Sequence, residues 1–222
     1  TMEHIVKIIS LQDVTHNVRR YRFTKPAGYH FEPGQATDVS IHQPSWKDEV
    51  RPFTFTCLNE DDFLEFTIKS YHDHNGVTHA LSTLQVGDEL IIRDVWGAIA
   101  YQGEGYFLAG GAGITPFLAI LRQLKKDNAI AGNHLYFSNQ TTQDIILKAE
   151  LDSMLGNQVH YLISREAQSA YPKGRIDRAF LQNNIRDFSK PFYICGLDKM
   201  VSDLAQTLQE LGAPTESVVF EK

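Results

Sequence analysis

Gly110, Gly111 and Gly113, followed by Thr115-Pro116 and the run FLAIL, form a stretch that could cradle a phosphate. Glycines leave backbone N–H groups uncovered. Thr115 suits a helix N-cap and Pro116 the first helical position. The helix that follows would turn its positive dipole end toward a pyrophosphate. A tight strand-to-helix turn with glycines kept only for packing would read the same way. The dinucleotide fingerprint G-x-G-x-x-G fits in part: Gly111-Ala112-Gly113 match, and Pro116 stands where the third glycine belongs. The acidic ribose ligand expected about 20 residues on is missing, because the next strand ends in Ser138, Asn139 and Gln140. A plain NAD-dehydrogenase domain therefore fits badly.

Other candidates are less specific. Arg51-Pro52-Phe53-Thr54 lies in an alternating strand whose Phe53 and Phe55 would suit a core. His72, His74 and His79 crowd one short segment, but His72 and His74 would share a strand face with no third ligand nearby, so a solvated hairpin end is expected. Cys57 and Cys195 are far apart. They make neither a disulfide framework nor an iron–sulfur site, which takes four ligands. Ser164-Arg165, with Lys173 and Arg175 downstream, is either a solvated loop or an anion site.

The elements that must position these residues change character along the chain. The 222 residues suit one large or two small domains, and 42% hydrophobic content is ample for packed cores. A net charge of −6 with scattered Lys and Arg argues against a nucleic-acid surface. No apolar stretch approaches the ~18 residues of a membrane helix, and no signal-peptide pattern opens the chain. A cytoplasmic protein without membrane contact is expected. Residues 1–101 hold about six short strands with turn signals and one short helix near Thr78–Leu84. That pattern predicts a small antiparallel barrel, although a sandwich would fit too. Beyond the turn Tyr101–Gly105, residues 102–222 alternate five strands with four helices, which predicts βαβ units and a parallel sheet.

RPFTFT, GGAGITPF and CGLDKM, in this order and in these two halves, resemble the ferredoxin–NADP reductase superfamily, and the chain looks most like its small single-chain bacterial flavodoxin and ferredoxin reductases. The resemblance spans nearly the whole chain. It implies a flavin-binding β-barrel over 1–101 and an NAD(P)-binding α/β domain over 102–222. FAD is the implied flavin, ahead of FMN, and NADPH or NADH the substrate. Arg51-Pro52-Phe53-Thr54 stands for the family's Arg-x-Tyr-Ser. Arg51 would hold a flavin phosphate, Phe53 would pack beside the ring system without a phenol hydrogen bond, and the Thr54 hydroxyl would lie near flavin N5. Ile68 and Lys69 would touch the flavin through their backbone. Gly76-Val77-Thr78, one residue tighter than the family's Gly-x-x-Ser, would meet the flavin phosphates. Gly111, Gly113, Thr115 and Pro116 would lie against the nicotinamide nucleotide. Cys195-Gly196, with Met200, completes Cys-Gly-x-x-x-Met near the nicotinamide ring. Ser164-Arg165 matches the pair that holds the 2′-phosphate of NADPH, while Gln140 stands where some NADPH users carry a base.

The activity the resemblance implies is hydride transfer from NAD(P)H, with NADPH preferred, to FAD. Electrons would then pass to a separate acceptor: a flavodoxin, a ferredoxin or a small diffusible compound. Thr54 and Cys195 would lie nearest the reaction, Cys195 as a wall of the nicotinamide pocket. Two other readings compete. A non-catalytic flavin-binding electron-transfer subunit would tend to lack the glycine loop and to carry cluster cysteines. A plain NAD(P)-binding protein would lack flavin.

Overall fold

The structure is a computed structural model that describes residues 2–221. The chain divides into two compact units, one ending at Gly97 and the next beginning at Ala98. That division falls a few residues before the turn expected to separate them. Among the described residues no helix is long and apolar enough to cross a membrane.

In the N-terminal unit β1 (His4–Thr15) and β2 (Val18–Thr24) form a hairpin. They are followed by β3 (Ala36–Ile41), β4 (Arg51–Thr54), β5 (Phe63–Lys69), the short helix α1 (Val77–Ser82) and β6 (Glu89–Trp96). All pairings are antiparallel, in the order β4-β3-β6-β1-β2-β5. The two outer strands meet. Phe55, just past β4, bridges Phe66 of β5, and Thr56 N donates to the Glu65 carbonyl at 3.0 Å. Closure decides for a barrel over a sandwich and removes exposed strand edges.

Period-two alternation sends Tyr21, Phe23, Leu64, Phe66, Leu90 and Ile92 into the barrel. Phe55 stacks between Phe31 and Phe66, with ring centres 4.6 and 5.3 Å away. Each such buried ring stabilises the unit by about 1.5–3 kcal/mol. Glu65 alternates out of this core yet is only 1% exposed. Its carboxylate accepts from Thr56 Oγ1 at 2.6 Å and from Arg22 Nε at 2.9 Å. The Glu65 carboxylate so ties β2 and β5 to the segment after β4, and helps fix where β4 sits.

The C-terminal unit runs β7 (Tyr106–Gly110), α2 (Thr115–Lys126), β8 (His134–Asn139), α3 (Lys148–Leu155), β9 (Val159–Ile163), α4 (Arg178–Asn184), β10 (Phe192–Cys195), α5 (Asp198–Glu210) and β11 (Val218–Val219). All five strands are parallel, in the order β11-β10-β7-β8-β9. The chain moves outward from β7 to β9 and then returns to the other side of β7. The strand order therefore reverses between β7 and β10. Open parallel sheets bind ligands outside the carboxyl ends of the strands at such a switch point. One sheet face packs Leu108, Tyr136, Leu162 and Ile194 under Leu181, Leu204 and Leu208. On the other, Phe107 meets Phe117 of α2 edge-on at 5.1 Å and stacks on Tyr193 at 4.3 Å.

Candidate functional site

Gly110 ends β7 with extended backbone, φ −125° and ψ 122°. Residues 111–114 then make one 3₁₀ turn that runs straight into α2. Thr115 is thus the first residue of α2, with φ −59° and ψ −42°, and not the N-cap expected from the sequence. The reason is Gly111, whose φ of +52° lets the chain begin winding before Thr115 is reached. Pro116 sits in the first turn, where a missing N–H costs nothing. No side chain caps the start of either segment. The first N–H groups of this double turn are left for a ligand or water, and the helix dipole favours an anion there.

One motif distant in sequence, Cys195-Gly196 with Met200, packs against this turn. A Cβ on Gly113 would lie 2.4 Å from the Cys195 carbonyl oxygen and 2.7 Å from the Gly196 nitrogen, so only glycine lets the turn back onto β10. The Met200 sulfur fills the space over Gly110 and Gly196, 2.6 and 2.7 Å from where their Cβ atoms would be. Cys195 is half-buried at the carboxyl end of β10, paired with Ala109. Burial pushes its thiol up to about 11, and the nearby Glu221 carboxylate pushes the same way. It is a neutral thiol at neutral pH, the wrong state for a nucleophile and a suitable one for a pocket wall.

Ser164 and Arg165 follow β9. Ser164 N donates to the Asn139 carbonyl at 3.0 Å, and Arg165 N to the Gln140 carbonyl at 2.8 Å. These bonds hold the loop against the carboxyl end of β8. Arg165, Lys173 and Arg175 are all exposed, and among the described residues none has a carboxylate partner. The next residue, Glu166, turns away: its carboxylate accepts from Thr142 N and Oγ1, both at 2.9 Å. One loop thus presents three cations without internal neutralisation.

In the barrel, Arg51 is exposed on β4, an outer strand of the sheet order. Its Nη1 donates to the adjacent Val50 carbonyl at 2.8 Å, and Glu49 is 4.0 Å away. An exposed ion pair of that kind is worth little, so the guanidinium fork remains available to a phosphate. Pro52 is exposed, while Phe53 and Thr54 are half-buried. The Phe53 ring leans on Phe66 with centres 5.9 Å apart. It borders the core without entering it. The Thr54 hydroxyl has no hydrogen-bond partner among the described residues. The Ile68 side chain is buried in the barrel, which leaves only its backbone to face a ligand, and Lys69 Nζ lies 5.3 Å over the Tyr71 ring.

Gly76 is the N-cap of α1, with no side-chain bond, and Val77 is buried beneath it. Thr78 Oγ1 accepts from Tyr71 N at 3.0 Å, which fastens α1 to the segment after β5. His72 and His79 meet Nδ1 to Nδ1 at 2.8 Å. Among the described residues no group of three or more metal-ligating side chains occurs.

The sequence carries two family signatures in matching places. Residues 5–101 match the family described as the oxidoreductase FAD-binding domain, and residues 107–206 the oxidoreductase NAD-binding domain. The chain thus pairs an FAD-binding with an NAD-binding oxidoreductase domain, in the fold that the ferredoxin–NADP reductases share. Its relatives include the reductase component of propane 2-monooxygenase from Rhodococcus jostii, 26% identical over 97% of this chain and 62% of that protein. NADH-cytochrome b5 reductase 1 of Eremothecium gossypii is 29% identical over 94% of this chain and 79% of that protein. The chain therefore spans less than two thirds of the first relative and most of the second. A ferredoxin–NADP⁺ reductase from Neisseria gonorrhoeae, with bound FAD and NADP, shares the fold with a TM-score of 0.81 at 22% identity, covering 95% of this chain and 92% of that one.

The residues present suit the two groups for which the matched domains are described, FAD and NAD. The uncapped turn backed by Gly113 is open to a pyrophosphate, and β4 offers an exposed guanidinium held only by a weak surface ion pair and a hydroxyl without a partner among the described residues. Two further residues were not legible in the sequence. Glu221 Oε1 accepts from Ala98 N at 2.6 Å and from Ile99 N at 3.3 Å, tying the start and end of the C-terminal unit together beside Cys195. Glu65 anchors the barrel seam. Both act across long sequence separations, and no local pattern marks either.

Proposed function

We propose that this chain is an NADPH-preferring reductase that carries FAD on its barrel and passes electrons to a separate acceptor, a flavodoxin, a ferredoxin or a small diffusible compound. The observation that carries the reading is the uncapped 111–114 turn at the switch point of the parallel sheet, pressed onto the Cys195 carbonyl. Bound flavin supplies the chemistry of accepting a hydride and releasing its electrons singly, and the protein supplies position and electrostatics.

Arg51 holds a flavin phosphate as a fork, and Phe53 flanks the ring system. The Thr54 hydroxyl, free of internal bonds, donates toward N5. Ile68 and Lys69 present backbone groups, and Gly76, Val77 and Thr78 meet the phosphates where α1 starts. On the other unit, Gly111 and Gly113 expose N–H groups to the nucleotide pyrophosphate, with Thr115 and Pro116 beginning the helix behind it. Cys195 and Gly196 bound the nicotinamide ring, a neutral thiol on one side and no side chain on the other. Ser164 and Arg165 take the 2′-phosphate, with Lys173 and Arg175 adding charge of the right sign. No residue has to act as a general base, because hydride transfer moves the proton with its electron pair.

The competing nucleotide is NADH, the donor named for the cytochrome b5 reductases among the relatives. Steady-state kcat/KM for both nucleotides, in the wild type and in Arg165→Ala, separates the two. Losing a charge-assisted phosphate contact costs about 1.5–3 kcal/mol, so Arg165→Ala should lower the NADPH value roughly 10- to 100-fold and leave NADH nearly unchanged. Equal use of both nucleotides by the wild type would refute the preference.

A further inference from the structure

Asn139 closes β8 with only 6% of its surface exposed, and neither its Nδ2 nor its Oδ1 has a hydrogen-bond partner among the described residues. Buried side-chain amides are seldom left so, because an unmade bond costs about 1–3 kcal/mol. Asn133 in the same unit shows the usual outcome. It is fully buried, its Oδ1 accepts from Gly105 N at 3.1 Å and from the Tyr101 hydroxyl at 3.2 Å, and its Nδ2 donates to the Ala129 and Ile130 carbonyls at 3.4 and 3.2 Å. The hydrogen bonds of Asn139 run through its backbone, whose carbonyl accepts from Ser164 N at 3.0 Å.

The position of this amide is informative. Gly110 pairs with Ser138, so Asn139 and Gly111 each stand one residue past the last paired positions of neighbouring parallel strands. The register also puts Phe107, Leu135, Phe137 and Asn139 on one face of the sheet, the face on which Phe107 meets Phe117 of α2. The unpaired amide therefore lies at the ligand end of the sheet, on the side where the uncapped turn starts α2. Its vacancy is double, one donor group and one acceptor. Phosphate oxygens only accept, whereas a ribose hydroxyl both accepts and donates.

We infer that Asn139 is a nucleotide-binding residue that bonds a ribose hydroxyl of the dinucleotide held at the 111–114 turn. The inference rests on the proposed nucleotide site, and the ribose is common to NADH and NADPH, so the contact serves both. The same vacancy makes Asn139 costly to the free protein, as expected of a side chain kept for binding.

The test uses the flavin-loaded protein and its Asn139→Ala and Asn139→Leu variants. Dissociation constants for NADH and NADPH come from anaerobic rapid mixing, and Tm is measured without nucleotide. For both variants the expected result is a rise of about tenfold in both constants, the loss of one to two hydrogen bonds, with flavin content unchanged. In Asn139→Ala the nucleotide-free Tm should hold or rise, since no internal bond is lost. Asn139→Leu keeps the shape and loses both donor and acceptor, so it covers the case in which the space left by alanine disturbs folding. Unchanged dissociation constants in both variants overturn the inference, most plainly if Tm falls, which marks the amide as an internal structural group. Failure of the wild type itself to bind either nucleotide overturns the nucleotide site and this inference together. Wild-type binding with unaffected variants overturns only the role of Asn139.

Discussion

Adding one methyl group at Gly113 tests the convergence of the glycine turn on β10. The new Cβ would meet the Cys195 carbonyl oxygen at 2.4 Å, its carbon at 2.5 Å and the Gly196 nitrogen at 2.7 Å. All three are backbone atoms, so no rotamer change relieves the clash. Restoring ordinary contact requires the turn and the end of β10 to separate by about 1 Å, at a cost typical of overpacking, about 1–3 kcal/mol. A displacement of that size at a reacting centre costs about 10²-fold in rate. Gly113→Ala should therefore reduce flavin on the order of 10²-fold more slowly with NAD(P)H, in anaerobic stopped flow, while retaining its flavin, which the other unit holds. Gly111→Ala is the internal control. Its Cβ would meet nothing within 4 Å, and only the φ of +52° penalises it, by about 1–2 kcal/mol. Wild-type flavin reduction by Gly113→Ala, at wild-type nucleotide affinity, would refute the claim that this turn and Cys195 form one site.

Arg51→Ala should weaken flavin retention by tenfold or more, because a charge-assisted phosphate contact is worth about 1.5–3 kcal/mol, and far-ultraviolet circular dichroism should stay unchanged; purification with full flavin would refute the role of Arg51. Cys195→Ser should be mild, since the side chains are similar in size, whereas Cys195→Leu should slow flavin reduction without loss of flavin. Equal wild-type rates in both would make Cys195 a packing residue. The thiol pushed up to about 11 also predicts slow alkylation of Cys195 at neutral pH that accelerates only toward that value. The sign for stability follows: its folded pKa lies above the ordinary value of 9.0, so its contribution is intact below about pH 9 and is lost as pH rises through 11. Fast alkylation at pH 7 by a thiol-specific reagent would contradict both statements.

Much of the architecture was legible in the sequence because its signals are local. Leu64, Phe66 and Ile68 alternate as a half-buried strand must, and YFLAG, LYFS and FYIC are the short apolar runs of a sheet covered on both faces. Barrel closure was not legible. It depends on Phe55 meeting Phe66 and on the Glu65 carboxylate finding Arg22 and Thr56, contacts that no periodicity encodes. The glycine loop was recognisable by composition, but its entry was misplaced, because Thr115 and Pro116 carry the usual start signals and the left-handed Gly111 overrides them. That Gly113 must be glycine follows from a carbonyl more than eighty residues away. The unpaired amide of Asn139 was invisible for a related reason: a sequence shows which polar groups exist and not which remain without partners.

The most direct measurement is the visible spectrum of the purified protein before and after anaerobic addition of NADPH, repeated with NADH. A yellow protein whose flavin absorbance bleaches on addition, with NADPH acting at lower concentration than NADH, is the predicted result. A colourless protein, or a flavin absorbance that neither nucleotide changes, would contradict the assignment of this chain as a nicotinamide-driven flavin reductase.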